Sequence, residues 1–269
     1  MRDDTILLGA VAYDPKVVTI WERIRDYFRT SGVKLDFALF SNYERQVETL
    51  LRGHIDIAWN TPLAHVRVKR RTEGKSVSLA MRDSDRDFHA KVVVRRDASI
   101  KNVADLAGKT LAVGSRDSTQ ARILPLHFLK KEGVDLSRVK LLPFDSDLGK
   151  HGDTGLSELD VLAAVHEGRA QSGTVGDLVW VQAQAAGRVD ASKVEVLWTT
   201  PGFDHCMFDA LPAFPKALAD AFTVQLLAMD WDDPQHRPIL ELEGLKAWVG
   251  PREERYESLR EALDAIDGW

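Results

Sequence analysis

A single cysteine, Cys206, stands among 269 residues, so no disulfide can close within the chain and no cysteine-cluster metal site can form. Positive charge is also in short supply. The 36 Lys and Arg face 41 Asp and Glu, a formal net charge of -5, whereas a general nucleic-acid binder carries a basic excess. Nucleic acid is therefore not an expected partner. No apolar run approaches the roughly 20 residues that span a bilayer, because Lys, Arg or Asp interrupts every long stretch. Walker, dinucleotide-binding and zinc-protease motifs are missing, as are Gly-rich phosphate loops, so neither a cofactor nor a resident metal is expected. Linkers, low-complexity segments and short repeats are absent as well. What remains is 44% hydrophobic and 29% charged, enough apolar material for one large or two modest domains.

Met1-Arg2-Asp3-Asp4 leads into Thr5-Ile6-Leu7-Leu8-Gly9-Ala10-Val11, too short an apolar run for the core of a secretory leader. It reads as a first strand. Two placements stay open: a cytoplasmic protein, or a periplasmic or lipid-anchored one whose leader has been removed.

Strand-like and helix-like patterns alternate from there. Val17, Ile20, Trp21, Ile24 and Phe28 share one helical face, and Gly32 stops the helix. A strand is predicted over 33–39. Ser41-Asn42-Tyr43-Glu44 opens a helix as a capping-box signature, with Gly53 at its end. A strand through Trp59 follows, then a helix from Thr61-Pro62 and a strand over 77–81. A second series gives strands over 91–94, 109–113 and 171–175, and helices from Ser118 or Thr119 to Gly133, over 156–167 and over 177–186. After a strand over 194–198 and Cys206-Met207-Phe208, the chain is predicted to be mainly helical, over 214–229 and 253–266. Trp231, Trp248 and Trp269 read as packing residues. The pattern is α/β, with mixed or parallel sheets covered by helices on both faces.

Ligands in such folds gather at the carboxyl ends of strands, where helix amino termini converge. Small, polar and aromatic residues cluster there: Ala12-Tyr13-Asp14, Ser41-Asn42-Tyr43, Trp59-Asn60-Thr61 and Ser115-Arg116-Asp117-Ser118-Thr119-Gln120. Hydroxyls and first-turn amides at Ser118-Thr119 and at Asn60-Thr61 would attract an anion without help from lysine. The plainer reading of each is an N-cap.

Four stretches together resemble the solute-binding proteins of phosphate, phosphite and phosphonate ABC transporters. The first runs from Asn42-Tyr43 through Gly53-His54-Ile55-Asp56-Ile57-Ala58-Trp59 to Pro62-Leu63-Ala64. The second is Val92 through Arg95-Arg96-Asp97 to Leu106-Ala107-Gly108-Lys109-Thr110. Asp117-Ser118-Thr119 with Pro125 is similar to the family's anion loop, and Leu162-Ala163-Ala164-Val165-His166-Glu167-Gly168 to a helix before a strand of the second lobe. The likeness spans roughly residues 5–215. It implies a two-lobed type II periplasmic-binding-protein-like fold, with a central mixed sheet in each lobe and a ligand cleft between them. Lobe 1 would hold residues 1–86 and 201–269, lobe 2 residues 87–200, with crossings near 84–89 and 198–203. Hinge closure would bury a small organic anion, phosphonate-, phosphate ester- or carboxylate-like, for delivery to an ABC-transporter permease. Carried over by position, Tyr43, Asn60, Thr61, Ser118 and Thr119 are the implied contacts, with Tyr13 and Trp59 as walls.

Departures from the pattern bear on the head group. Phe88-His89-Ala90 stands where relatives carry tyrosines and a hydroxyl residue, and Gln120 stands where they carry a small one. Glu158, Asp160 and Asp177 lie near positions from which some relatives address an amine, and carboxylates there would repel a fully charged phosphate. Solvated helix-surface acids are the plainer reading of these three.

An enzyme or a sensor on the same fold is the alternative, since some leaderless proteins of this fold are biosynthetic enzymes, lyases or decarboxylases. Its candidates are Asp204-His205-Cys206, an imidazole beside a carboxylate and a thiol. In the binder reading His205 is a ligand contact instead. Of the other histidines, His54, His65, His127 and His166 read as packed or surface residues, and His151-Gly152-Asp153 as a loop that could touch ligand. The basic run over 67–71 reads as a solvated helix face.

Overall fold

The computed structural model describes residues 4–265. Its first β-α-β unit follows from residue spacing. Ile6–Val11 (β1) leads into Lys16–Ser31 (α1), which buries Val17, Ile20, Trp21, Ile24, Tyr27 and Phe28. Gly32 ends α1 at φ 80°, a left-handed conformation that costs glycine nothing. Leu35–Phe40 (β2), Tyr43–Leu51 (α2), Ile57–Asn60 (β3), Pro62–Arg71 (α3) and the short strands Val77–Ser78 (β4) and Met81–Arg82 (β5) follow. Asn42, one residue beyond the predicted Ser41, caps α2 by accepting from the Arg45 amide at 2.9 Å. Thr61 caps α3 with proline behind it, as the sequence predicts.

The second series comprises Ala90–Arg95 (β6), Thr110–Val113 (β7), a π-helical turn Thr119–Ile123 that continues into Leu124–Lys131 (α4), and Lys140–Pro143 (β8). Leu156–His166 (α5), Ser172–Gly176 (β9), Asp177–Ala185 (α6) and Val194–Thr199 (β10) complete it. Then come Met207–Ala210 (β11), Lys216–Leu227 (α7), Arg237–Glu243 (α8), Trp248–Val249 (β12) and Glu257–Asp264 (α9). Neither α8 nor β12 is foreseen by the sequence reading. Each is too short to show a sustained repeat, and they hold together through tertiary contacts: Ile239 and Leu240 enter the core, and β12 pairs with β5. Trp269 and Ile266 lie outside the described residues.

The chain divides into two units, Met1–Arg86 with Asp204–Tyr256 and Asp87–Phe203 with Glu257–Trp269. Each holds a five-stranded mixed sheet, ordered β2-β1-β3-β11-β4 in unit 1 and β10-β6-β9-β7-β8 in unit 2. The two sheets share a plan. In each, a first strand pairs in parallel with a second and a third, and an antiparallel strand flanks the third. Helices cover both faces, as continuous apolar strands require. In unit 1 one cluster joins α1, α7 and α8 to the sheet, and another joins α2 and α3. In unit 2 one cluster draws on α5 and α6 and the other on α4.

Two sequence expectations change. The last helix does not join lobe 1: α9 belongs to unit 2, burying Leu259, Ala262 and Leu263, with Glu261 paired to Lys131 on α4. An amphipathic stripe states that a helix packs, not against what. Within the basic run, Arg67 and Arg71 pair with Glu44 and Glu48 at the surface, but Lys69 is buried, bonded to the Ser76 carbonyl at 2.8 Å and to Glu253.

Candidate functional site

Because β7, β8 and β9 run parallel, their carboxyl ends share one edge of the unit 2 sheet. Ser118 lies beyond β7 and caps the π turn, its Oγ accepting from the Ala121 amide at 3.1 Å. A π turn at a helix start re-aims side chains that a regular α-turn would stack, and such turns concentrate at functional sites. Thr119 and Gln120 follow, both buried. Thr119 Oγ1, Gln120 Oε1 and Ser157 Oγ are buried polar atoms without a hydrogen-bond partner. Leaving such an atom unpaired costs about 1–3 kcal/mol. Two of the three stand on the π turn and the third in the first turn of α5.

The carboxylates at this edge are held by neighbours. Gln120 Nε2 donates to Glu158 Oε1 at 3.1 Å, and the Gly176 amide to Glu158 Oε2 at 2.6 Å. Burial pushes the Glu158 carboxyl up to about 7, against the pull of those two bonds. The plainer sequence reading, a solvated acid, does not hold for Glu158, which is 1% exposed. Asp177 pairs with Lys91 at 2.6 Å and accepts from the His89 amide at 3.0 Å, with the His89 ring 3.3 Å away. Asp160 accepts from the Ser146 hydroxyl.

A loop between β8 and α5 closes over the Ser118 turn. Asp147 accepts from the Ser115 hydroxyl, and Asp117 from the Gly149 amide at 2.6 Å. His151 is buried with its Nε2 3.9 Å from Asp117. Gly152, at φ 91°, sits so close that a Cβ would stand 2.6 Å from Ser118 Oγ and 2.5 Å from Gln120 Nε2. Sequence reasoning points to the loop His151-Gly152-Asp153 and misses Ser157 and Asp147. A positive-φ glycine inside a polar loop is the one signal that points to this close approach.

The unit 1 edge is built differently. Asn60 is fully buried; its Oδ1 accepts from Gln46 Nε2 at 2.8 Å and its Nδ2 donates to Asp209 at 2.9 Å. Asp209 also meets His65 Nδ1 at 2.9 Å. Trp59, predicted as a ligand wall, is a core residue here: its ring lies 4.4 Å from Phe208 and 5.6 Å from Trp248, with the Arg82 guanidinium 5.4 Å away. Strand alternation explains the pair, since Trp59 and Asn60 face opposite sides of β3 and both sides are covered. Thr61 caps α3 through the Ala64 amide at 3.4 Å. Tyr43 packs in the α2–α3 cluster, and Tyr13 lies half-buried against the other face.

His205 and Cys206 precede β11, whose Met207 pairs with Asn60. The partners shown for the predicted Asp204–His205 couple are other residues. Asp204 is locked to Arg252, with Nε to Oδ2 at 2.8 Å, while His205 Nδ1 faces Cys206 Sγ at 3.1 Å and Asp85 at 3.6 Å. Adjacent residues on an extended segment point to opposite sides. Burial pushes His205 down to about 4, so its ring is neutral at physiological pH.

Residues 10–256 match the family described as ABC transporter, phosphonate, periplasmic substrate-binding protein. The chain belongs to this family. Among phosphonate-family proteins it is 24% identical over 239 residues to the probable ABC transporter phosphite binding protein PhnD1 of Prochlorococcus marinus, covering 85% of this chain and 77% of that one. The structure of PhnD1 with methylphosphonate superposes with a TM-score of 0.75 at 20% identity, over 98% of this chain and 99% of that one. XAC2383 from Xanthomonas citri, solved with ATP, gives 0.78 at 19% identity over 98% and 100%. The sulfonate-binding SsuA of Escherichia coli gives 0.59 at 16% over 97% and 83%. This is the type II periplasmic binding protein fold that the sequence resemblance implies.

Proposed function

We propose that this phosphonate-family protein is a solute-binding component of ABC-type uptake. Its ligand is a small oxyanion, with Ser118, Thr119 and the first-turn amides of unit 2 as its principal holders. The observation that carries the reading is the pair of unpaired buried atoms on the π turn, Thr119 Oγ1 and Gln120 Oε1, with Ser157 Oγ in the first turn of α5 as a third. Hydroxyls donate to an anionic oxygen, whereas the Gln120 carbonyl oxygen only accepts. A guest that satisfies Thr119 and Gln120 both accepts and donates, as a monoprotonated phosphonate or phosphite does and a sulfonate does not. Glu158 favours the same charge state: below about pH 7 its carboxyl is mostly protonated and does not repel a monoanion. His89, Gln120, Glu158 and Asp177 shape the site on this unit. The partner is an ABC permease and the compartment is periplasmic, as for other family members.

Calorimetry and thermal shift with methylphosphonate, phosphite, phosphate and methanesulfonate test this. Methylphosphonate or phosphite is expected to bind and to be recovered unchanged by mass spectrometry. At a hundredfold excess over Kd it should add about 2.7 kcal/mol of stability. Methanesulfonate, the isosteric anion without a proton, should bind at least tenfold more weakly. Chemical conversion of a recovered ligand would favour the enzyme alternative, and no stabilisation by any of these anions would refute the proposal.

A further inference from the structure

Asp85, His205 and Cys206 converge in unit 1 where the chain leaves and re-enters it. Asp85 ends the 3-10 turn Asp83–Asp85, and the His205 amide donates to the Asp85 carbonyl at 2.8 Å, which fixes the two segments side by side. The three side chains are buried, and their ligand-type atoms all lie within 4.8 Å of one another. His205 Nδ1 stands 3.1 Å from Cys206 Sγ and 3.6 Å from Asp85 Oδ1. A tetrahedral zinc ion, with Zn–S about 2.3 Å and Zn–N and Zn–O about 2.0 Å, requires edges of about 3.6 Å between sulfur and nitrogen and about 3.3 Å between nitrogen and oxygen. The observed separations differ from these by a few tenths of an ångström, within reach of side-chain rotation.

We propose that Asp85, His205 and Cys206 form a binding site for a zinc-class divalent cation, with water as the fourth ligand. One thiolate, one imidazole and one carboxylate are the donor set that borderline-soft metals select over magnesium or calcium. Coordination forms the metal–sulfur bond and releases the thiol proton to solvent. The surrounding shell is already in place. Arg82 holds both Asp85 oxygens, at 2.7 and 2.8 Å, and the Tyr256 hydroxyl donates to the His205 carbonyl at 2.8 Å. Such contacts orient ligands without consuming them, because each carboxylate oxygen keeps a second lone pair. The Arg82 charge is shared with Glu243, 3.3 Å from its guanidinium, which eases the approach of a cation to Asp85. A metal here would tie the segment before Arg86 to the segment after Phe203 and stiffen both exits of unit 1. The proposal rests on unit 1 residues alone and does not depend on the solute reading.

Chelator-treated full-length protein titrated with Co2+ is the test. One equivalent is expected to bind with a thiolate-to-cobalt charge-transfer band and tetrahedral d–d intensity, and Zn2+ should displace it. Cys206→Ser should abolish the band, and His205→Gln should weaken binding at least tenfold, whereas Ser118→Ala with Thr119→Ala should leave it unchanged. Zinc-edge X-ray absorption on wild-type protein, which needs no variant to fold, should show a single sulfur in the first shell. Absence of that sulfur, or Co2+ binding that is equally tight in Cys206→Ser, overturns the proposal.

Discussion

The junction at Asn60–Thr61 and the junction at Ser118–Thr119 look alike in sequence: a strand, polar or hydroxyl residues, then a helix. The side chains of Asn60 and Thr119 have opposite fates. Asn60 is bonded on both sides, to Gln46 and Asp209, inside a network that continues to His65. Thr119 Oγ1 and Gln120 Oε1 are equally buried and have no partner. Position in the sheet accounts for the contrast. Asn60 ends the third parallel strand, where β11 lies alongside and supplies Asp209. Ser118 follows β7, which occupies in unit 2 the place that β1 occupies in unit 1. The topological counterpart of Ser118–Thr119 is therefore the Ala12–Asp14 turn, and that of Asn60–Thr61 is Gly176–Asp177. A shared local motif does not imply a shared role, because the partners of a buried polar group come from whatever the fold lays beside it.

The sharpest way to break this comparison is to delete both members. Ser118→Ala with Thr119→Ala should weaken methylphosphonate binding at least a hundredfold by calorimetry, about 3 kcal/mol, and cost only about 1 kcal/mol of stability, that of the lost cap. An unchanged Kd would end the anion-loop assignment. Asn60→Ala should do the reverse, lowering stability in urea by about 3 kcal/mol, because it leaves Gln46 and the buried Asp209 carboxylate short of partners. Binding by the folded fraction should change less than threefold, and a larger loss of affinity would move Asn60 into the site.

Glu158 adds a pH axis to the unit 2 half of the contrast. Its folded value of about 7 exceeds its ordinary 4.5, so the folded chain keeps a proton that the unfolded chain has lost. The associated stability is complete below about pH 4.5 and drains as pH rises through about 7. Glu158→Gln should flatten that slope by about 2 kcal/mol in denaturant titrations across the window, and remove any fall in anion affinity above pH 7. Glu243 in unit 1, also pushed up to about 7 by burial, keeps its own share of the slope. The smallest effect belongs to Thr119→Val. With no hydrogen bond to lose, the variant should match wild type in thermal stability while binding the anion about tenfold more weakly, about 1.4 kcal/mol. A fall in stability would show that the hydroxyl has a partner within the fold.

Much of the architecture was legible because it rests on periodicity and capping. The α1 stripe from Val17 to Phe28, the Gly32 stop, the Thr61-Pro62 start and the β-α alternation all follow from local rules. The first-turn position of Ser118 and Thr119 was legible for the same reason. Illegible were features made by distant residues. Asp209 lies 149 positions from Asn60, which it occupies. Arg252 pairs with Asp204, and the packing partner of α9 is α4. Trp59 misled because an aromatic residue at a strand end reads the same whether it lines a site or a core.

By itself, the sequence determined the α/β class, the family and the helix starts that face the strand ends, since these depend on spacing, capping and backbone preference within a few residues of one another. Only the tertiary structure decided which of those polar ends are satisfied internally and which are not, and that Asp85, His205 and Cys206 meet. Hydrogen-bond satisfaction and burial depend on groups brought together from distant parts of the chain, and no local pattern carries that information.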